Sequence, residues 1–190
     1  LPNLTTGITI NRVEIWVTNK TGTTTNTRNI VALSDLGENS KISRTDLWGS
    51  GTGNTPLNNA NTEYSTIAQG YPQARNMDQT NTVLDGLGMV GGADYEKLSN
   101  ARLLNSSEYT VNQALGYVSL RTGLQTDQVL AIAYEYTSGG VTHQVGEFSS
   151  DRTDVSEALL VKSLKNTSNN PKQANWNLMM KNVYYLASTV

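Results

Sequence analysis

The sequence predicts an α+β fold of antiparallel β-hairpins, a few short helices and long polar loops. Three observations predict it. Ile8–Thr18 and Gln128–Phe148 are rich in the β-branched and aromatic residues that suit a pleated, half-buried surface. Ala93–Leu104 and Asp154–Lys165 each open with acidic residues, where a helix dipole favours anions. Asn, Ser and Thr number 21, 16 and 24, together 61 of 190 residues. Their side chains compete for the backbone and favour turns, caps and loops over helix interiors.

In Ile8–Thr18, Ile8 and Ile10 share one parity, and Val13, Ile15 and Val17 take the other. A β-bulge at Asn11–Arg12 shifts alternation in this way, and two short strands meeting there would do the same. Trp16 then points opposite to Ile15 and Val17. After the polar turn Thr18–Arg28, the apolar run Ile30–Leu33 reads as a strand buried on both faces. Residues 37–61 hold four glycines, Pro56 and few apolar side chains, the composition of a mobile excursion. Leu57–Gln69 reads as a short helix stopped by Gly70-Tyr71-Pro72. In Ala93–Leu104, Tyr95, Leu98, Ala101 and Arg102 stand at helical spacings of three and four.

Leu115–Leu120 is a short strand. Gln128–Thr137 and Val141–Phe148 flank Ser138-Gly139-Gly140 and form a hairpin. Small Ala131 and Ala133 on one face of that hairpin predict a closely packed neighbour, expected as a helix. Asp154 with Glu157 three positions on resembles a capping box, and Lys162 and Lys165 would occupy the last turn of that helix. Ala174–Leu186 has helical spacing over Trp176, Met179, Met180, Val183 and Tyr184, although Val183–Leu186 also suits a strand.

The length suits one domain with a sizeable core, so residues 1–190 are read as a single unit. Lys plus Arg is 14 and Asp plus Glu 16, a net charge of −2, with no basic run longer than a dipeptide. A phosphate-tracking or anionic-lipid surface is thereby disfavoured, and nucleic acid is not an expected partner. There are no cysteines, which excludes disulfides and thiolate chemistry. The longest apolar stretch, Val129–Tyr134, falls far short of the roughly 20 residues of a spanning helix, so no direct membrane insertion is expected. The start at Leu1 without Met and the abrupt stop at Val190 read as cut ends of a longer polypeptide.

A search for chemistry yields no catalytic, cofactor-binding or metal residues, and the chain is read as a non-enzyme with no cofactor. His143, the single histidine, has no placed partner for a triad and reads as a solvent-facing strand residue. Asp151, Asp154 and Glu157 would cluster at a helix start, where a cation or acid–base pair is conceivable and capping explains the same residues. Asp35 and Glu38 flank Gly37 without calcium-loop spacing. Gly91-Gly92 precedes acidic residues that would repel a phosphate and reads as a turn. Tyr109, Tyr117, Tyr134, Tyr136 and the three tryptophans suit either a sugar platform or a core short of phenylalanine.

Several segments, in collinear order over nearly the whole chain, resemble one family. They are Asn11–Asn19, Thr27–Leu33, Asp35–Glu38, Asp94–Leu98, Ala101-Arg102, Ser107–Thr110, Leu115–Leu120, Asp127–Tyr136, Val145–Phe148 and Trp176–Tyr184. Together they resemble the SprA (Sov) family, the very large outer-membrane barrels of Bacteroidetes that form the type 9 secretion translocon and serve gliding motility. Residues 49–61 and 166–175 match least. The resemblance implies a soluble insert of an outer-membrane protein, at the cell surface rather than in the periplasm. It implies contacts with the remainder of the parent barrel, with secreted cargo proteins or with accessory translocon subunits. The family's pattern transfers no catalytic or metal motif onto these positions. The alternative from another class is a carbohydrate-binding or adhesive surface module, which predicts a shallow groove floored by Trp or Tyr.

Overall fold

A computed structural model describes residues 7–51, 53–113, 115–168 and 170–184. The two chain ends and the Tyr185–Leu186 part of the last expected element lie outside them. The expected class needs correction: five strands close into a β-barrel. Around the ring run β1 (Ile8–Val17), β3 (Tyr95–Leu103), β2 (Thr27–Leu33), β8 (Leu159–Lys165) and β6 (Leu130–Ser138), which pairs back to β1. All pairings in the ring are antiparallel except β2 with β8. A sixth strand, β7 (Val141–Val145), extends the sheet from β6. Strands β4 (Tyr109–Asn112) and β5 (Tyr117–Leu120) form a separate two-stranded sheet.

Several expected elements are present. The register of β1 against β6 shifts between Ile10 and Arg12, so Asn11 is the bulged residue. The β6–β7 hairpin turns on Gly139 and Gly140, both at positive φ, as a two-residue primed turn requires. Ile30, Val31, Ala32 and Leu33 are completely buried. Ile30 and Ala32 face one apolar cluster and Val31 and Leu33 another.

Two expected helices are strands. Ala93–Leu104 contains β3, and its three-residue spacing has a local cause. Between the pairs Arg28–Ala101 and Ile30–Leu98, Ser99 and Asn100 together oppose Asn29, and Asn100 sits at φ 52°. This bulge stretches a period of two into three between Leu98 and Ala101, which share the bore cluster, while Tyr95 faces the outer cluster. Asp154–Lys165 is a turn followed by β8; Asp154 Oδ1 accepts from Ser156 N and Oγ, closing an Asx-type turn. Lys162, expected in a helical last turn, is buried in mid-strand. The Leu57–Gln69 expectation shrinks to α1 (Glu63–Ser65), which continues as a π-helical turn over Thr66–Gly70. Pro72–Arg75 is a 3₁₀ turn, and α2 spans Thr80–Gly86. Ala174–Asn182 resolves to helix, α3.

Five strands enclose a narrow bore, and side chains fill it. Its contents come from every strand of the ring: Trp16, Ile30, Ala32, Ala101, Ala131, Ala133, Leu159 and Val161, with Val129 and Phe148. The small Ala131 and Ala133 make room for Trp16 and the opposite wall, so their close neighbour is the barrel itself and not the expected helix. Outside β2, β3 and β8, the helical segments contribute Ile67, Ala74 and Leu84 to a second cluster with Leu36, Trp48 and Leu160. Outside β1 and β6, a third cluster joins Ile15, Val17 and Ile132 to Tyr109, Val118 and Leu120 of the β4–β5 sheet. The 37–61 segment lies against the barrel: Trp48 is buried, and Asp35 accepts from the Ser43 and Arg44 amides at 2.7 and 2.9 Å.

Candidate functional site

The sequence-singled residues do not converge. His143 lies in β7, half-buried, with its ring 5.2 Å from that of Tyr136 and no hydrogen-bond partner among the described residues. Asp151 Oδ2 accepts from Phe148 N and Gln144 Nε2, Asp154 from Ser156, and Glu157 pairs with Arg152. Each acid thus shapes the turn between β7 and β8. Among the described residues no three acidic or histidine side chains group so as to hold a metal. Gly91-Gly92 leads into β3, not a helix, and the Gly92 carbonyl accepts from Asn166 and Asn175.

The concentration of buried charge, which sequence reading missed, lies elsewhere. Arg75 and Glu147 are 3 % exposed each and form a bidentate pair, both contacts at 2.6 Å. Tyr64 Oη donates to Glu147 Oε1 at 2.9 Å, Leu160 N donates to Oε2 at 2.9 Å, and Arg75 also donates to the Ala158 carbonyl. Burial works to raise the Glu147 pKa, but the hydrogen bonds and charge of Arg75 outweigh it and hold the carboxyl below its ordinary range. Burial, reinforced by Glu147, pushes the Tyr64 phenol up to about 12. The ion pair and its hydrogen bonds hold segments distant in sequence together. They tie the helical segments to the turn that enters β8.

Two further buried charges, Glu14 and Arg28, bind the turn that follows β7. Glu14 accepts from Ser149 N and Oγ, both at 2.8 Å, and from Arg12. Arg28 is held by backbone carbonyls alone, those of Ser149, Arg152, Asp154 and Glu157. Arg12 stacks its guanidinium 4.0 Å from the Phe148 ring centroid. Phe148 thus reaches the bore cluster, and the exposed turn that follows it is tied down by side chains of β1 and β2. One sequence signal marks two of the buried charges, a charge embedded in an apolar run: Glu14 within Val13–Val17 and Lys162 within Leu159–Leu164.

Two concavities lie on the surface of the described residues. A cleft of about 300 Å3 is lined by Thr21, Thr23, Thr25, Asn26, Arg102, Leu103, Asn105 and Glu108, with Arg102 Nη1 donating to both carboxylate oxygens of Glu108. A shallower concavity of about 570 Å3 lies on the β4–β5 sheet, lined by Thr110, Val111, Asn112, Gln113, Ser119 and the half-exposed Tyr117. Trp16 and Trp48 are buried and serve the core. No helix among the described residues is long and apolar enough to cross a membrane. No protein-family model matches the chain, and no curated protein matches it.

Proposed function

We propose that this chain is a non-catalytic insert domain of a type 9 secretion outer-membrane translocon of the SprA kind, packed against its parent barrel, where it caps the conduit or docks cargo and accessory subunits. The observation that carries the reading is the collinear series of matching segments from Asn11 to Tyr184. The fold supports it in one respect. The bore is filled by Trp16, Phe148 and the alanines around them, so this small barrel conducts nothing and acts through its outer surface. At one end of that surface Ile8 and Val141 are 40 % and 57 % exposed, and both flank Ser138 in the sheet. Exposed apolar side chains brought together in this way suit contact with the parent. The proposed location is the cell surface. A protease site inserted within residues 49–61 of the intact parent is expected to be cleaved on whole cells. Protection until the outer membrane is permeabilised places the domain on the periplasmic side, and absence of an outer-membrane parent ends the translocon reading.

One observation favours a second reading, a carbohydrate-binding surface. Tyr117 is half exposed within a concavity whose other side chains are mostly hydroxyls and amides, and a ring face beside such groups suits a sugar. On this reading Tyr117→Ala abolishes retention on a glycan array without shifting the melting temperature. Equal retention of both proteins, or none by either, rejects it.

A further inference from the structure

Glu63 opens α1 and is 1 % exposed, yet neither oxygen of its carboxyl has a hydrogen-bond partner among the described residues. Its backbone, by contrast, is fixed: Glu63 N donates to Asn61 Oδ1 at 2.8 Å. The Asn61 amide in turn donates to the Asp35 and Glu38 carbonyls at 2.7 and 2.8 Å. The charged groups facing Glu63 come from three places: Asp35 after β2, Asp94 before β3 and Lys162 of β8. Each already serves others. Asp35 accepts from the Ser43 and Arg44 amides. Asp94 accepts from Val90 N and the Arg44 guanidinium. Lys162 donates to the Ser34 carbonyl and Glu38. No cation answers a charge on Glu63 directly, while two carboxylates oppose it. A buried carboxyl so placed keeps its proton.

We propose that Glu63 is a proton-held latch: with its carboxyl protonated, the Asp35–Asn61 segment packs on the barrel, and loss of that proton releases the segment while the barrel stays folded. Burial pushes the Glu63 carboxyl well above the ordinary carboxylate range; Asp35 adds to the rise, Lys162 opposes it and Asp94 adds again. The sign follows. The docked state holds a proton that the released state gives up in the ordinary range. Docking is therefore complete below that range and weakens as pH rises through the higher value of the docked state. Release is local because the segment lies outside the ring. Leu36, Trp48, Leu47 and Ile42 join the cluster outside the barrel. Pro56 and Asn58 bond to Tyr136, Gln144 and Gly146 without taking part in the ring's strand pairings. The latch belongs to this chain alone and does not depend on the identity of the parent.

Hydrogen exchange tests it on the whole chain. The Ser43, Arg44, Gly51 and Thr62 amides are all hydrogen-bonded and report the segment, while the β6 amides report the barrel. Corrected for intrinsic rates, segment protection is expected to fall about tenfold per pH unit through the transition, the factor by which an ionisation ratio changes. The β6 amides keep theirs, and Glu63→Gln holds the segment protected at every pH. The carboxyl carbon resonance of Glu63 in the unaltered chain gives an independent reading, expected to titrate above the ordinary range. The same pH dependence in both proteins, or a resonance titrating in the ordinary range, overturns the latch. Should Glu63→Gln fail to fold, the unaltered chain decides: segment protection that does not fall as pH rises to the midpoint of the resonance overturns the latch.

Discussion

Arg75→Met is expected to lower stability by about 3–5 kcal/mol, because it strands a buried carboxylate. Glu147 would keep only the Tyr64 hydroxyl, the Leu160 amide and the more distant Arg152, whose Nη2 lies 3.6 Å away and which is one-third exposed. Urea unfolding at neutral pH measures the loss. The pH dependence separates this cause from lost packing. Glu147 is held below its ordinary value of 4.5 in the fold. Its contribution to the unaltered protein is thus present above that value and disappears as pH falls through the lower, folded one. Without Arg75 the buried carboxyl takes up a proton readily, so the deficit is greatest near neutrality and narrows on acidification. A deficit that is constant with pH would assign Arg75 a packing role only.

Trp16→Ala is expected to cost about as much, 3–5 kcal/mol by comparison with other buried aromatic truncations. The indole is 1 % exposed and fills the bore against Ala32, Ala101, Ala131 and Ala133, which are too small to collapse into the space it leaves. Trp16→Phe provides the contrast. The indole Nε1 has no hydrogen-bond partner among the described residues, so phenylalanine removes an unsatisfied donor along with some volume. The two terms oppose each other, and the net loss is expected to stay below about 1.5 kcal/mol. Equal losses in the two variants would show that the bore relaxes around whatever occupies position 16.

Local chemistry made part of this fold legible. Alternation broken at Asn11 located the β1 bulge, and Gly139-Gly140 between apolar runs located the β6–β7 hairpin. Barrel closure was not legible, for two physical reasons. The bulge at Ser99–Asn100 sets Leu98 and Ala101 three apart on one face, and Tyr95 on the other face extends the apparent helical spacing. Strand β8 is buried from Leu159 to Ser163 and so has no alternation to read, and its parallel pairing with β2 leaves no turn signal between them. The buried network escaped for a related reason: Arg75 and Glu147 are distant in sequence, and nothing local ties one to the other. The acids that were singled out, Asp151, Asp154 and Glu157, proved to be turn formers because short-range spacing reports short-range structure.

The parallel pairing of Ile30 with Leu159 and the position of β8 between β2 and β6 carry a kinetic consequence. The last strand of the barrel completes a ring begun by the first, so the ring cannot form until nearly the whole chain is available. Closure over so long a separation puts this domain among slow folders, on the order of milliseconds to seconds. During that interval the fully apolar Ile30–Leu33 edge stands bare and is prone to pair with other chains. Truncation before Leu159 should therefore yield aggregate rather than a smaller fold, because β8 bridges β2 and β6.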